Sequence, residues 1–288
     1  VTQALDGIGA VAERYDVFLF DMWGCLHDGI RAFPGVADLL IQLRARAKRS
    51  IVISNAPRLA ASLRSYMPSF GLDPDAFDGI VTSGEDGWQA LAADTHALGR
   101  RFLHVGSPLN LGDPAAIGFE VVANLADADF ILASGPAGDG TVDLAAPALQ
   151  TMLAQARARD LVLVCTNPDL EVLRGEQRFL CAGTLAQTYE TLGGRTRYHG
   201  KPHAGVYRRA LGFAGDVAPS RVLALGDAMR TDIAGARAFG FDQVFVSGGI
   251  HAEGLQAPVG NLPSPEAMAA LAQAFGFAPT YVTAELRW

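Results

Sequence analysis

The sequence predicts an α/β fold: a core built on a parallel sheet, with a second α/β unit inserted into the middle of the chain. Three observations predict it. Short apolar runs bounded by loop residues alternate with segments of helical periodicity from Val17 onward. A second block of the same kind, from about Arg101 to Arg197, interrupts this alternation, which then resumes. Two of the apolar runs lead into carboxylates, Asp21 directly and Asp227 after Gly226, and strand ends of a parallel sheet are where ligands bind.

Val17 to Phe20 reads as a buried strand. Val36 to Ala47, entered through Pro34-Gly35, has helical periodicity. Ile51 to Ile53 is a second strand, ending at Ser54-Asn55; Leu59 to Tyr66 is helical and Gly79 to Val81 is a short strand. In the inserted block, Phe102 to Val105, Phe130 to Leu132 and Leu161 to Val164 read as strands. Ala146 to Ala156 is a helix carrying Pro147 in its first turn, where proline is tolerated, and Leu185 to Leu192 is another, ended by Gly193-Gly194. The first pattern returns with a helix from Ala204 to Leu211, a strand from Val222 to Leu225, a helix from Asp232 to Phe239 and a strand from Val244 to Val246. A Gly- and Pro-rich loop from Gly254 to Pro265 precedes a last helix to Phe275, and Ala278 to Trp288 has no assignment. The expected organisation is a discontinuous Rossmann-like core, residues 1–98 and 198–288, around an inserted domain, residues 99–197. Candidate hinges are Ala97-Leu98-Gly99 and Thr196-Arg197-Tyr198.

Half of the 288 residues are apolar, enough for one large domain or two modest ones. The net charge is -7, and the densest basic cluster, Arg44, Arg46, Lys48 and Arg49, reads as a solvated helix end, so nucleic acid is not an expected partner. No apolar run approaches the ~18 residues of a membrane span. No charged-then-apolar leader opens the chain. The three cysteines, Cys25, Cys165 and Cys181, are odd in number and widely spaced, which fits reduced thiols and a cytoplasmic location. Cys25 stands near the acidic loop but has no adjacent base and reads as packing.

A carboxylate at the tip of a buried strand must be paired or bound to a metal. Asp21 is such a group, and the loop Gly226-Asp227-Ala228-Met229-Arg230-Thr231-Asp232 supplies further carboxylates after a second strand. Together they suggest one magnesium-type site of oxygen ligands. Ser54-Asn55 and Lys201 also stand at strand ends or helix starts. A carboxylate nucleophile, a hydroxyl, a lysine and metal-binding acids make a phosphoryl-transfer set: Asp21 attacks phosphorus, Ser54 hydrogen-bonds a phosphoryl oxygen, and Lys201 pairs with the phosphate and with Asp21.

The order Asp21, Ser54, Lys201, Asp227 and Asp232 resembles the haloacid dehalogenase (HAD) superfamily, and within it the class IIA, NagD-like phosphatases. The finer matches are Leu26-His27-Asp28, Pro34-Gly35, Thr82-Ser83-Gly84, Thr166-Asn167-Pro168-Asp169, Gly200-Lys201-Pro202-His203 and Gly226-Asp227-x-x-Arg230-Thr231-Asp232. The resemblance implies that Asp21 is nucleophile and metal ligand, with the backbone carbonyl of Trp23 and the side chain of Asp227 as further ligands. Asp232 would steady the metal's waters, and magnesium is the expected ion. The inserted domain would be a cap closing over a small phosphorylated metabolite. Asn55, Trp23, Asn167 and Asp169 would face that substrate; cap domains often carry dimer contacts, which leaves both a monomer and a homodimer open.

Trp23 departs from the pattern. Phosphatases of this superfamily usually carry aspartate two residues after the nucleophile, as general acid and base. Indole offers an N–H donor only, and a positioned acid or base is worth about 10²–10⁴ in rate. The carbonyl of residue 23 does not depend on its side chain, so metal binding is expected intact. Three readings follow: a phosphatase in which His27, Asp28 or Asp169 supplies the proton or the leaving group needs none; a metal-free dehalogenase, which would not be expected to keep Asp227 and Asp232; and a protein that binds a phosphorylated metabolite without turning it over. Acids at Gly84-Glu85-Asp86 read as helix-dipole partners, Trp88 as core or as the seam between the two units, and His203 as structural.

Overall fold

The computed structural model of the protein describes residues 2–93, 98–135, 144–174, 177–257 and 260–288. His96, Ala97 of the first candidate hinge and residues 258–259 of the Gly254 to Pro265 loop lie outside the described residues.

The strands in chain order are β1 (Gln3–Ala4), β2 (Val17–Phe20), β3 (Arg49–Ser54), β4 (Gly79–Thr82), β5 (Arg101–Val105), β6 (Glu120–Val122), β7 (Phe130–Ala133), β8 (Val162–Cys165), β9 (Glu171–Arg174), β10 (Gln177–Leu180), β11 (Arg195–Tyr198), β12 (Val222–Gly226), β13 (Asp242–Val246) and β14 (Tyr281–Thr283). A seven-stranded sheet runs β1-β14-β13-β12-β2-β3-β4, and a five-stranded one runs β11-β8-β7-β5-β6. Every pairing in both sheets is parallel. The β9–β10 hairpin stands apart as an antiparallel pair.

The composition of β2 explains its central place. All four residues are buried, yet they point two ways: Phe18 and Phe20 join one apolar cluster, with Leu39 and Leu43 of the helix Val36–Ala45, while Val17 and Leu19 join another, with Val206 and Ala210 of the helix Ala204–Ala214. A strand covered on both faces has no polar side, which is why its sequence does not alternate. The second sheet follows the same rule: Leu132 and Val164 pack with Phe102 and Phe119, Ile131 and Leu163 with Leu153 and Tyr189. Trp88, on the helix Ser83–Ala93, packs edge-on against Phe102 and Phe119 and so forms the seam between the two sheets' layers.

Three details differ from the sequence reading. Thr196 to Tyr198 is strand rather than connecting loop: Arg195–Tyr198 pairs in parallel with Val162–Cys165 at the edge of the five-stranded sheet, and Gly200 follows at a φ of +99°. The expected helix from Asp232 opens instead with a π-helical turn, Met229–Ile233, before a short α-helix, Ala234–Ala238. The unassigned tail supplies β14, three buried residues that extend the large sheet beyond β13.

Candidate active site

Parallel register brings the chemistry together. Phe20 lies beside Leu225 on one side and Val52 on the other, so the next residues of β2, β3 and β12 emerge at one edge. Asp21 is tied there by its own amide, which donates to the Leu225 carbonyl at 2.8 Å. Ser54 and Asn55 end β3, and Asp227 follows Gly226. Asp232 arrives from the π-helical turn, whose wider pitch lets its Oδ2 accept from the Ala228 amide at 3.0 Å; such turns concentrate at functional sites. All five of these side chains are buried.

Carboxylate oxygens of Asp21, Asp227 and Asp232 lie within 4.8 Å of one another. Lys201, 2% exposed, stands among them: its Nζ donates to Asp21 Oδ1 and lies 2.6 Å from Asp232 Oδ1. Asp227 Oδ2 accepts from the Ile250 amide at 2.7 Å. Three carboxylates facing one ammonium leave an excess of negative charge in a dry place, and that charge shifts the pKa of Asp21, Asp227 and Lys201. Burial and the neighbouring Asp232 push Asp21 up to about 7, with Lys201 opposing. Burial, Asp21 and Asp232 hold Asp227 well above the usual carboxylate range. Burial works against the charge of Lys201, but Asp21, Asp232 and Asp169 outweigh it and raise the ammonium's pKa. An all-oxygen, acid-rich pocket of this kind fits a hard divalent cation.

Gly24 makes the approach possible. Its φ of +79° suits glycine, and a Cβ there would run into the Asp227 carboxylate, so only a bare backbone carries this loop past the site. Asn55 organises the opposite wall. Its Oδ1 accepts from the Lys201 amide at 2.7 Å, while its Nδ2 donates to Asp169 Oδ1 at 2.9 Å and to the Lys201 carbonyl at 3.2 Å. Ser54 Oγ accepts from the Ala56 amide at 3.2 Å.

Trp23 turns away from proton chemistry. Its indole N–H donates to the carbonyl of Leu173, on β9 of the hairpin. Its ring sits edge-on to His27, at 5.1 Å between centroids, and His27 stacks flat on Phe70 at 4.1 Å. Gly29, at φ +86°, lies against the indole where a Cβ would collide with it. His27 is itself neutralised: burial brings it down to about 4, and its Nδ1 accepts from the Gly29 amide at 2.8 Å. Asp28 caps the same turn, its Oδ1 accepting from the amides of Ile30 and Arg31, both at 2.8 Å.

One cavity of about 620 Å³ is lined by Asp21, Trp23, Ser54, Asn55, Asn167, Asp169, Lys201, Asp227 and Asp232, so the candidate catalytic, substrate-binding and metal-binding residues all line the same space. Asn167 serves its own loop, with Oδ1 accepting from the Asp169 amide at 3.2 Å. Outside the site, Glu85 accepts from the Ala60 amide at 2.9 Å, at the start of the helix Ala60–Tyr66. His203 is exposed and stacks on Tyr198. The sequence reading missed the hairpin at Glu171–Leu180, which contributes Glu171, Val172, Leu173, Phe179 and Leu180 to the cavity wall. Its signal was present: two four-residue runs flank Gly175-Glu176, a spacing that reads as a hairpin. Arg230, which donates to the Pro168 carbonyl and so braces the Asn167–Asp169 loop, gave no comparable sign.

The family model for haloacid dehalogenase-like hydrolases matches residues 18–120, and that for HAD-hydrolase-like proteins matches residues 198–287. D-glycerol 3-phosphate phosphatase of Mycobacterium tuberculosis is 29% identical over 245 residues, covering 84% of this chain; the chain spans 65% of that relative's length. A haloacid dehalogenase-like hydrolase from Brucella suis superposes with a TM-score of 0.80 at 31% identity, over 98% of this chain and 99% of that one. Glycerol phosphate phosphatase from Mycobacterium tuberculosis, solved in complex with magnesium, has the same fold, with a TM-score of 0.69 at 23% identity over 96% of this chain and 76% of the other.

Proposed function

The chain belongs to the haloacid dehalogenase-like hydrolases, and from that premise we propose that it is a magnesium-dependent phosphatase of a small phosphorylated metabolite, working through an aspartyl-phosphate on Asp21. The observation that carries the proposal is the convergence of three buried carboxylates on one buried lysine, beside Ser54 and Asn55, at the floor of a single cavity. Asp21, Asp227 and the Trp23 carbonyl would hold the ion, with Asp232 steadying its waters. A bound magnesium ion supplies charge that draws the phosphoryl group in and offsets its oxygens.

Asp21 attacks phosphorus, forming an O–P bond as the leaving oxygen departs with the bonding pair. Water then attacks the same phosphorus, Asp21 leaves as carboxylate, and phosphate is released. Lys201 holds Asp21 in place and carries positive charge toward the phosphoryl oxygens. Ser54 and Asn55 complete the phosphoryl cradle. Residues 99–197 act as the cap, with the β9–β10 hairpin and the Asn167–Asp169 loop closing the cavity against water. The glycerol phosphate phosphatase relative supports a small phosphate monoester as the substrate class.

Steady-state phosphate release from p-nitrophenyl phosphate, with magnesium and then with EDTA, tests the proposal. Turnover with magnesium, its loss with EDTA, and abolition by Asp21→Asn are expected; Asp21→Asn protein that keeps near wild-type activity refutes it. The indole of Trp23, committed to Leu173, favours one second reading, a binding protein without turnover, and failure of the wild type across a broad phosphate-ester panel would select it. The dehalogenase reading loses support from the acidic cluster, which a metal-free attack on carbon does not need.

A further inference from the structure

We propose that Asp169 is the general acid and base of this site, taking the role that residue 23 cannot serve; the assignment rests on the phosphatase reading above and deepens it. The cavity floor binds the phosphoryl group, at Asp21, Ser54, Asn55 and Lys201. Above that floor, part of the cavity wall is contributed by Asn167, Asp169 and residues of the β9–β10 hairpin. A proton donor for the leaving oxygen belongs on that wall.

The carboxyls that line the cavity can be taken in turn. Asp21, Asp227 and Asp232 form the acidic cluster and are engaged with Lys201 or backbone amides. Asp28 is closed into its turn by two amides, which hold its pKa low against the effect of burial. Glu171 pairs with Arg178, which also reaches Glu253 at 2.8 Å. Asp169 remains. It is half-buried, and its side chain is joined to the phosphate-binding floor by a single amide, since Asn55 donates to it and accepts from the Lys201 backbone.

The loop that carries it is braced on both sides of the carboxyl. The Asp169 carbonyl accepts from the Gly183 amide at 3.1 Å at the start of the helix Ala182–Thr191, and the preceding Pro168 carbonyl accepts from Arg230. A positioned acid needs such a rigid mount. The charges around Asp169 are Lys201 and Arg230, which oppose its protonation, and Asp232 and Asp21, which favour it, with the thiols of Cys165 and Cys181 behind. Burial is the largest influence and leaves Asp169 above the usual carboxylate range, the direction an acid catalyst requires.

As Asp21 bonds to phosphorus and the ester P–O bond breaks, its electron pair passes to the leaving oxygen, which takes the proton of Asp169. In the second step Asp169, now a carboxylate, takes a proton from the attacking water. The bond from phosphorus to Asp21 breaks, phosphate leaves, and Asp169 is protonated again.

The test compares two aryl esters on the full chain with magnesium: phenyl phosphate, whose leaving group needs protonation, and p-nitrophenyl phosphate, whose leaving group does not. In Asp169→Asn, kcat/KM, which reports the first step, should fall by about 10²–10⁴ for phenyl phosphate and far less for p-nitrophenyl phosphate, while kcat falls on both because the second step loses its base. The alkaline limb of the pH profile for phenyl phosphate should disappear with it. Asp169→Glu keeps the acid and should recover much of the phenyl phosphate rate, and an unchanged Tm shows that Asp169→Asn is folded. An equal loss of kcat/KM on both esters, or a rise in KM with kcat kept, overturns the assignment and leaves the phosphatase reading standing. A wild-type protein that releases no phosphate from either ester refutes the phosphatase reading itself, and the proton-donor role with it.

Discussion

Replacing Lys201 by methionine should reveal how the acidic cluster is held. The substitution keeps most of the side chain's volume but removes the ammonium that donates to Asp21 and lies 2.6 Å from Asp232. Breaking a buried ion pair by deleting one partner costs about 3–5 kcal/mol, because the remaining charge is left without compensation. The cost depends on pH with a definite sign. Asp21 sits at about 7 in the folded protein, above its value in an unfolded chain, so the folded state binds the extra proton. Its contribution to stability is therefore largest at low pH and is lost as pH rises toward 7. Lys201 is one of the groups that lower this pKa, so the variant's Asp21 titrates higher still. At pH 5 the variant can protonate its orphaned acid, leaving a loss of about 1–3 kcal/mol for the missing hydrogen bonds. At pH 8 the full penalty of about 3–5 kcal/mol should appear, a fall in Tm of about 6–20 °C at the usual ~2–4 °C per kcal/mol for a chain of this size. Magnesium should offset part of it, since an ion at 100 times its Kd adds about 2.7 kcal/mol. Thermal unfolding by circular dichroism, at pH 5 and pH 8, with EDTA and with magnesium, reads all four values. A variant as stable as the wild type at pH 8 in EDTA would refute the ion-pair account. So would a penalty that is the same at both pH values.

Two further outcomes follow from the same geometry. Magnesium must displace the proton that burial and Asp232 keep on Asp21, so its Kd should fall as pH rises toward about 7, with protons released on binding below that pH; calorimetry in buffers of different ionisation enthalpy measures both, and a Kd independent of pH contradicts the shifted Asp21. Trp23→Phe keeps an aromatic ring, though a smaller one, and removes the donor to Leu173, which should cost about 1 kcal/mol and raise KM more than it lowers kcat. Faster amide exchange across residues 171–180 should accompany it, and unchanged exchange there would show that the indole does not hold the hairpin.

How far the sequence could be read depended on where each partner lies. Asp21 and Asp227 were legible because strands buried on both faces are continuous apolar runs, and a residue directly after such a run must emerge at the sheet edge. Ser54 and Lys201 gained meaning only from their order in the chain. The π-helical turn at Met229–Ile233 was not legible, because it reads locally as ordinary helix; its reason is the Asp232 carboxylate folding back on Ala228. The tail strand Tyr281–Thr283 was too short to show a period.

Trp23 shows why one motif position can be half readable. The local spacing fixes its backbone, since Gly24 and the Asp227 carboxylate leave the loop one course past the site. Its side chain answers to something else: the carbonyl of Leu173 is 150 residues away in sequence, on a hairpin that only tertiary packing brings near. A residue whose backbone and side chain serve different parts of the fold can change one without losing the other. The acidic cluster at the site floor therefore tolerates an indole at position 23. The proton-transfer duty usually given to that side chain passes to whatever carboxyl the opposite wall supplies, and among the described residues lining the cavity that wall offers Asp169 free of an ion-pair partner.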